Sequence, residues 1–228
     1  MASVPFTLYT HAGPGPNPVK VAIALEHLGL VYNTIPLAFG EGKGTVKDPE
    51  YTSNVNPNGR VPALIDHDNG DFTVFESGTI LRYLADKYDP SGKLGGTTVE
   101  ERAEVNQWLA WQISGLGPYQ GQLIWFLAFH EQAHGEKPGA SVMARYQNEV
   151  ERLRAVLEMH LASGTRDHVA LGRLTIADFA LLPWLKASAM VGPALKSFGE
   201  YPAIDAYVRR LDALLEVQAA YKKAVPAV

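Results

Sequence analysis

The alternation of apolar and polar positions changes character once along this chain, near residue 90. Before that point, short β-branched and aromatic runs alternate with helical spacing. Phe6–Thr10 reads as a strand, Asn17 to about Gly29 as a helix, and Val31–Leu37 as a second strand. Ala38–Gly59 is polar and glycine-rich, a long loop with room for one short helix; a loop of that length in a compact domain is usually functional. Val61–Ile65, a turn over His67–Asp71 containing Asn69-Gly70, and Phe72–Phe75 read as a hairpin. Glu76–Tyr88 places Ile80, Leu81, Leu84 and Tyr88 at helical spacing. Asp89 to Gly96 has the composition of a linker, and beyond it the strand pattern stops. Val105, Leu109, Ile113 and Leu116 mark one helix; Val142, Tyr146, Val150, Leu153, Leu157 and Leu161 mark another; Leu174–Met190 and Tyr201–Ala224 supply two more.

Strand–helix–strand, hairpin, helix is the order of an α/β thioredoxin-like domain, a small sheet with helices on its faces and an active turn after the first strand. The expected architecture is such a domain over residues 1–90, followed by an all-α helical domain over residues 91–228. Fold does not fix function, so the sites are argued separately.

Composition removes several functions. A net charge of -4 leaves no electrostatic footprint for nucleic acid or an anionic membrane. The longest apolar run, Leu123–Phe129, is far too short to span a bilayer. The first ten residues have neither a basic region nor a cleavable apolar stretch, so the expected location is cytoplasmic. There is no cysteine, hence no disulfide framework, no protein thiol nucleophile and no thiolate metal ligand.

The stretch between the first strand and the first helix, Thr10-His-Ala-Gly-Pro-Gly-Pro-Asn-Pro18, has the form of a ligand-holding turn. A phosphate cradle needs several backbone N–H groups, and Pro14, Pro16 and Pro18 have none. Lys20 is not in a Gly-Lys-Ser/Thr setting either, so nucleotide binding is rejected. Locally, Asn17 reads as a helix cap with Pro18 as first helical residue. Its amide at the positive end of a helix also suits a hydrogen bond to a bound thiolate. In Asn56-Pro-Asn-Gly-Arg-Val-Pro-Ala-Leu64, a cis Val61–Pro62 bond would turn the Val61 peptide outward to pair with a peptide ligand; an ordinary turn into an edge strand reads equally from the residues. Glu76 and Ser77 open a helix, where both suit capping; together they also fit the ammonium and carboxylate of an α-amino acid.

His130-Glu-Gln-Ala-His134 matches a zinc-protease pattern, but Gly135, Pro138 and Gly139 stop the helix at the second histidine, and no metal is expected. Thr175 and Asp178 have capping-box spacing, with Leu174 and Phe179 as a staple: a folding signal without chemistry. Among the aromatics Trp108, Trp111, Tyr119, Trp125 and Phe126, Tyr119 lies in a helix interruption, Gly117-Pro-Tyr-Gln-Gly121, and is the one expected to face a pocket.

The turn before Asn17-Pro-Val-Lys-Val, NPNGRVPALIDH, ESGTILRYLADKYDP and LTIADFALLPW together resemble a cytosolic glutathione transferase over nearly the whole chain. FTLYTH with Asn17, YNTI and QISGLGPYQGQ are similar to the fungal transferases related to the yeast nitrogen-regulation prion protein, and to bacterial Nu-class disulfide-bond oxidoreductases. The resemblance implies glutathione as co-substrate. Asn17, and more weakly Thr10, would lie near its sulfur, Val61 before a cis Pro62 at its cysteinyl part, Glu76 and Ser77 at its γ-glutamyl end, and Arg60 and Lys47 at its glycine carboxylate. It further implies a small hydrophobic electrophile or a disulfide as second substrate, held between the opening turn and a helix wall at Tyr119 and Trp125, and a homodimer. A Tyr9-type thiolate stabiliser is the alternative mechanism, and a non-catalytic binding or regulatory module the alternative function. The long Asn-rich extension of the prion protein is absent from this chain.

Overall fold

The computed structural model describes residues 4–13, 15–164 and 166–224; Pro14, one of the prolines of the opening turn, lies outside the described residues. The chain forms two compact units, Met1–Thr97 with Asp212–Val228, and Thr98–Leu211.

The first unit runs β1 (Phe6–His11), α1 (Pro16–His27), β2 (Tyr32–Leu37), α2 (Pro49–Asn54), β3 (Ala63–Asp66), β4 (Phe72–Phe75) and α3 (Ser77–Tyr88). The sheet order is β2-β1-β3-β4. β1 and β2 are parallel because α1 carries the chain back between them, whereas β3 and β4 form an antiparallel hairpin. Its turn is a 3₁₀ segment, His67–Asn69, closed by Gly70 and Asp71 in the left-handed region (φ 65° and 59°). In the long loop, Asp48 caps α2 by accepting from the Glu50 N–H at 3.0 Å and also holds the Gly44 N–H at 2.8 Å.

The second unit is helical: α4 (Val99–Trp111), α5 (Gly117–Ala128), α6 (His130–His134), α7 (Ala140–Ala162), α8 (Ile176–Lys186) and α9 (Pro202–Asp212). α4 pairs with α8, and α5 with α7. The capping box forms as the spacing predicts. Buried Asp178 accepts from the Thr175 N–H at 2.8 Å and hydroxyl at 3.2 Å, from the Val169 N–H at 3.1 Å, and from the Tyr207 hydroxyl at 2.8 Å.

Three helix expectations shift. The stretch through Ile113 and Leu116 leaves the α-helix at Gln112 and makes a π-helical turn to Leu116, which leaves Ile113 exposed. α8 ends at Lys186, and Ala187–Ala194 continues as 3₁₀ turns. Tyr201–Ala224 is two helices rather than one, α9 and α10 (Leu215–Ala224). α10 belongs to the first unit and packs on α1. With β1, α3 and α10 all against it, α1 is buried continuously from Pro18 to Leu25 and shows no polar stripe.

Candidate functional site

The strand registers locate the site. Tyr9 of β1 faces Ala63 of β3, which faces Phe75 of β4, so three strand ends line up on one side of the sheet. The chain leaves β1 there toward α1, enters β3 there through Val61–Pro62, and leaves β4 there at Glu76.

At the first of these ends, α1 begins one residue earlier than the sequence suggested. Gly15 occupies the cap position (φ -152°, ψ 128°), Pro16 is the first helical residue, and Asn17 is the second, so Asn17 is not the cap and Pro18 not the first residue. The preset φ of proline favours the first helical position, and Pro16 takes it. Pro16 and Pro18 carry no N–H, so Asn17 supplies the backbone donor of residues 16–18 together with its side-chain amide, at the positive end of a twelve-residue helix. The turn is close-packed: a Cβ at Gly15 would lie 2.4 Å from Cδ2 of His11. The His11 ring stacks on Phe39 with centroids 4.3 Å apart. Burial, reinforced by the positive charge of Arg60, pushes the His11 imidazole down to about 4, so it is neutral at neutral pH.

Thr10 is 1% exposed, and its hydroxyl reaches the backbone carbonyl of His11 at 3.5 Å. The Tyr9 ring packs on Tyr51 at 5.0 Å, in an apolar cluster with Leu37, Val46, Val61 and Ala63. Burial and then the charge of Glu50 raise its phenol above the ordinary value, which opposes a tyrosinate there.

At the second end, the Val61–Pro62 bond is cis, and Val61 precedes the registers of both ladders of β3. The approach is braced from behind. Asn56, 1% exposed, donates from Nδ2 to the Arg60 carbonyl at 2.7 Å and accepts the Asn58 N–H on Oδ1 at 3.0 Å. The Tyr51 hydroxyl donates to the same Arg60 carbonyl at 2.6 Å. Gly59 is required twice over, by φ 60° and because a Cβ would come within 3.0 Å of both the Val46 carbonyl and the Lys47 ammonium. The side chains of Arg60 and Lys47 reach solvent from this brace, with Lys47 Nζ donating to the Asn58 carbonyl at 3.3 Å.

At the third end, Glu76 sits at the cap position of α3 in the left-handed region (φ 68°, ψ 117°), uncommon for a residue with a Cβ. Asn58 Nδ2 reaches its Oε1 at 3.5 Å. Ser77 is the first helical residue rather than the cap, and its hydroxyl meets Lys20 Nζ of α1 at 3.3 Å. Lys20 is 2% exposed. Burial brings its ammonium down to about 7, against the opposing pull of the Glu76 carboxylate.

Sequence reasoning missed four contributors here: Lys20, His11, Asn56 and Asn58. Asn56 and Asn58 lie inside the stretch Asn56–Leu64, as the usual residues of a braced turn. The sequence around Lys20 points only to a phosphate ligand, for which the Gly-Lys-Ser/Thr setting is missing.

Tyr119 and Trp125 belong to the second unit. Tyr119 lies in the first turn of α5, just past the π-helical interruption; its ring is 6.1 Å from Tyr146, under the guanidinium of Arg145. Trp125 packs edge-on against Phe126, His130 and His134. The two histidines of the zinc-like pattern form a five-residue α6 that Gly135 ends at φ 74°, and His130 Nδ1 bonds the Glu136 carbonyl at 3.0 Å. Among the described residues no three His, Cys, Asp or Glu side chains are grouped to hold a metal ion.

Comparison with known proteins agrees with this layout. Residues 4–86 match the model of the glutathione S-transferase N-terminal domain, and residues 118–214 that of the glutathione S-transferase C-terminal domain. Glutathione S-transferase 2 of Schizosaccharomyces pombe is 42% identical over 203 residues, covering 88% of this chain and 84% of that one. The transcriptional regulator URE2 of Saccharomyces cerevisiae is 35% identical over 239 residues, covering 90% of this chain and 64% of that one. The crystal structure of the glutathione transferase URE2P6 of Phanerochaete chrysosporium, in complex with oxidised glutathione, superposes with a TM-score of 0.85 at 41% identity over 97% of each chain. A thioredoxin-like sheet ending in three aligned strand termini, a helical second unit, and likeness over nearly the full length lead to one assignment: the chain belongs to the glutathione S-transferase family.

Proposed function

We propose that this protein binds glutathione along the three aligned strand ends and uses its thiolate as the nucleophile. The reading rests on one observation, the row Tyr9–Ala63–Phe75, because it brings a helix entrance, an outlying peptide and an acid–hydroxyl pair to the same side of one sheet. Glu76 takes the γ-glutamyl ammonium and Ser77 its α-carboxylate, the Val61 backbone pairs with the cysteinyl part, and Arg60 and Lys47 meet the glycine carboxylate. Asn17 then faces the sulfur, with Thr10 beside it. Residues 1–90 serve as the glutathione-binding domain, and residues 91–228 supply a wall for a small hydrophobic electrophile through Tyr119 and Trp125. The protein works as a homodimer in the cytoplasm.

Thiol acidity sets the requirement. A free thiol has pKa ~8.5, and lowering it by about two units takes ~2.7 kcal/mol of preferential thiolate binding. A helix N-terminus supplies up to ~2 kcal/mol in partly buried geometry, and one hydrogen bond to a charged group ~1.5–3 kcal/mol. Asn17 at the start of α1 combines the two, so neither a protein thiol nor a tyrosinate is needed. In transfer, the thiolate forms a carbon–sulfur bond and the leaving group departs with its electron pair. With a disulfide, the thiolate attacks one sulfur to give a mixed disulfide and releases a thiolate. A second glutathione then resolves the mixed disulfide to oxidised glutathione and the second thiol.

Asn17→Ala is expected to lower kcat/KM with an aryl halide by about 10- to 100-fold, equivalent to ~1.5–3 kcal/mol. It should also raise the kinetic pKa of bound thiol, while Tyr9→Phe stays within a few-fold of wild type. The reverse ranking transfers the role to Tyr9. Assays with an aryl halide, an isothiocyanate and a small disulfide, each with glutathione, test the activity itself. Silence in all three despite measurable glutathione binding would make the chain a binding module.

A further inference from the structure

Lys20 is the residue of this site whose presence packing does not explain. It stands in the second turn of α1, inside the stretch Pro18–Leu25 that is otherwise apolar and wholly buried. A methionine would fill such a slot with an unbranched stem and no charge, and burying an ammonium is unfavourable. The ammonium is directed at the entrance of α3, 3.3 Å from the Ser77 hydroxyl, and feels the charge of Glu76 on the preceding residue.

An ammonium has donors only, so in this contact the serine oxygen accepts and the serine proton must be given to something else. We propose that Lys20 is a specificity-determining positioning residue: it turns the Ser77 hydroxyl into a donor aimed at the ligand, and its buried ammonium with the exposed Glu76 carboxylate makes a plus–minus arrangement matched to the minus–plus pair of an α-amino-acid zwitterion. The proposal rests on the reading that the γ-glutamyl end binds at Glu76 and Ser77, and adds what makes that end selective. Glu76 alone favours any amine, and the entrance of α3 alone favours any carboxylate. Lys20 behind Ser77 strengthens the carboxylate half without touching the ligand, and the neighbouring Glu76 favours the charged ammonium against the larger, opposite effect of burial.

The test is a comparison of ligands as well as variants. Calorimetry on the full chain measures glutathione, an analogue in which hydrogen replaces the γ-glutamyl α-carboxylate (4-aminobutanoyl-cysteinyl-glycine), and one lacking the α-amino group (glutaryl-cysteinyl-glycine). In Lys20→Met, the Kd for glutathione and for the glutaryl analogue is expected to rise tenfold or more, and that for the aminobutanoyl analogue to change less than twofold. KM for glutathione rises in parallel while kcat at saturation stays within threefold. Lys20→Gln keeps a donor to Ser77 without the charge and falls between the two; it carries the same comparison if the methionine variant does not fold. An equal loss for all three ligands, or no loss for any, overturns the proposal. Failure of the unaltered protein to bind glutathione at all would overturn the underlying site reading instead.

Discussion

Glu76 carries the conformational cost of this site. An L-residue at φ 68°, ψ 117° sits where only glycine is at ease, and such strain is of order 1–3 kcal/mol. Glu76→Gly is therefore expected to leave the unfolding free energy unchanged or raise it by about 1 kcal/mol, while glutathione affinity falls tenfold or more; urea melts and calorimetry on the same sample check both. His11 gives a pH signature. Its imidazole lies at about 4 in the folded chain against an ordinary value of 6.5. Between those values the unfolded chain holds a proton that the folded one does not. His11's contribution to stability is thus fully present above pH 6.5 and is lost as the pH falls through 4. The melting temperature should decline over that window, and His11→Gln should flatten the decline. What was legible at this scale was residue type: Asn17, Glu76 and Ser77 stand at helix entrances as the polar residues there suggest. His11 and Lys20 were not legible, because their protonation comes from burial, and burial comes from elements distant in the chain.

Among the elements, α8 shows how a local signal becomes a tertiary one. The capping box read from Thr175 and Asp178 forms, but the Asp178 carboxylate also gathers Val169 and Tyr207. Thr175→Ala removes one cap and should cost about 1–2 kcal/mol. Asp178→Ala leaves four donors without their acceptor and should cost more, up to loss of a folded second unit; thermal denaturation ranks the two. Strands and long helices were readable from period alone. Ends were less so: Pro16 moved the start of α1, and the break between α9 and α10 falls at Ala213 and Leu214, where neither glycine nor proline marks it. The π-helical turn before Gly117 was equally hidden, since its apolar spacing continues that of α4.

For the whole molecule, the first unit is sequence-discontinuous: α10 returns after the helical segment to cover α1, burying Val217, Ala220 and Ala224. His27 and Glu216, 2.9 Å apart, and a Lys223 ammonium 3.6 Å from the Tyr32 ring centre fasten it. Residues 1–97 expressed alone are expected to lack a cooperative melt, whereas the same residues joined directly to 212–228 should regain one. The division near residue 90 that composition suggests does not reveal this return. The entrance of α1 has a last consequence, for endurance. It holds an amide where a sulfur could have stood, and the chain has no cysteine anywhere. On the proposed chemistry the reactive sulfur that a peroxide burst spoils belongs to a dissolved, replaceable reagent and not to the helix entrance: washing the oxidised protein and feeding it fresh tripeptide should bring turnover back.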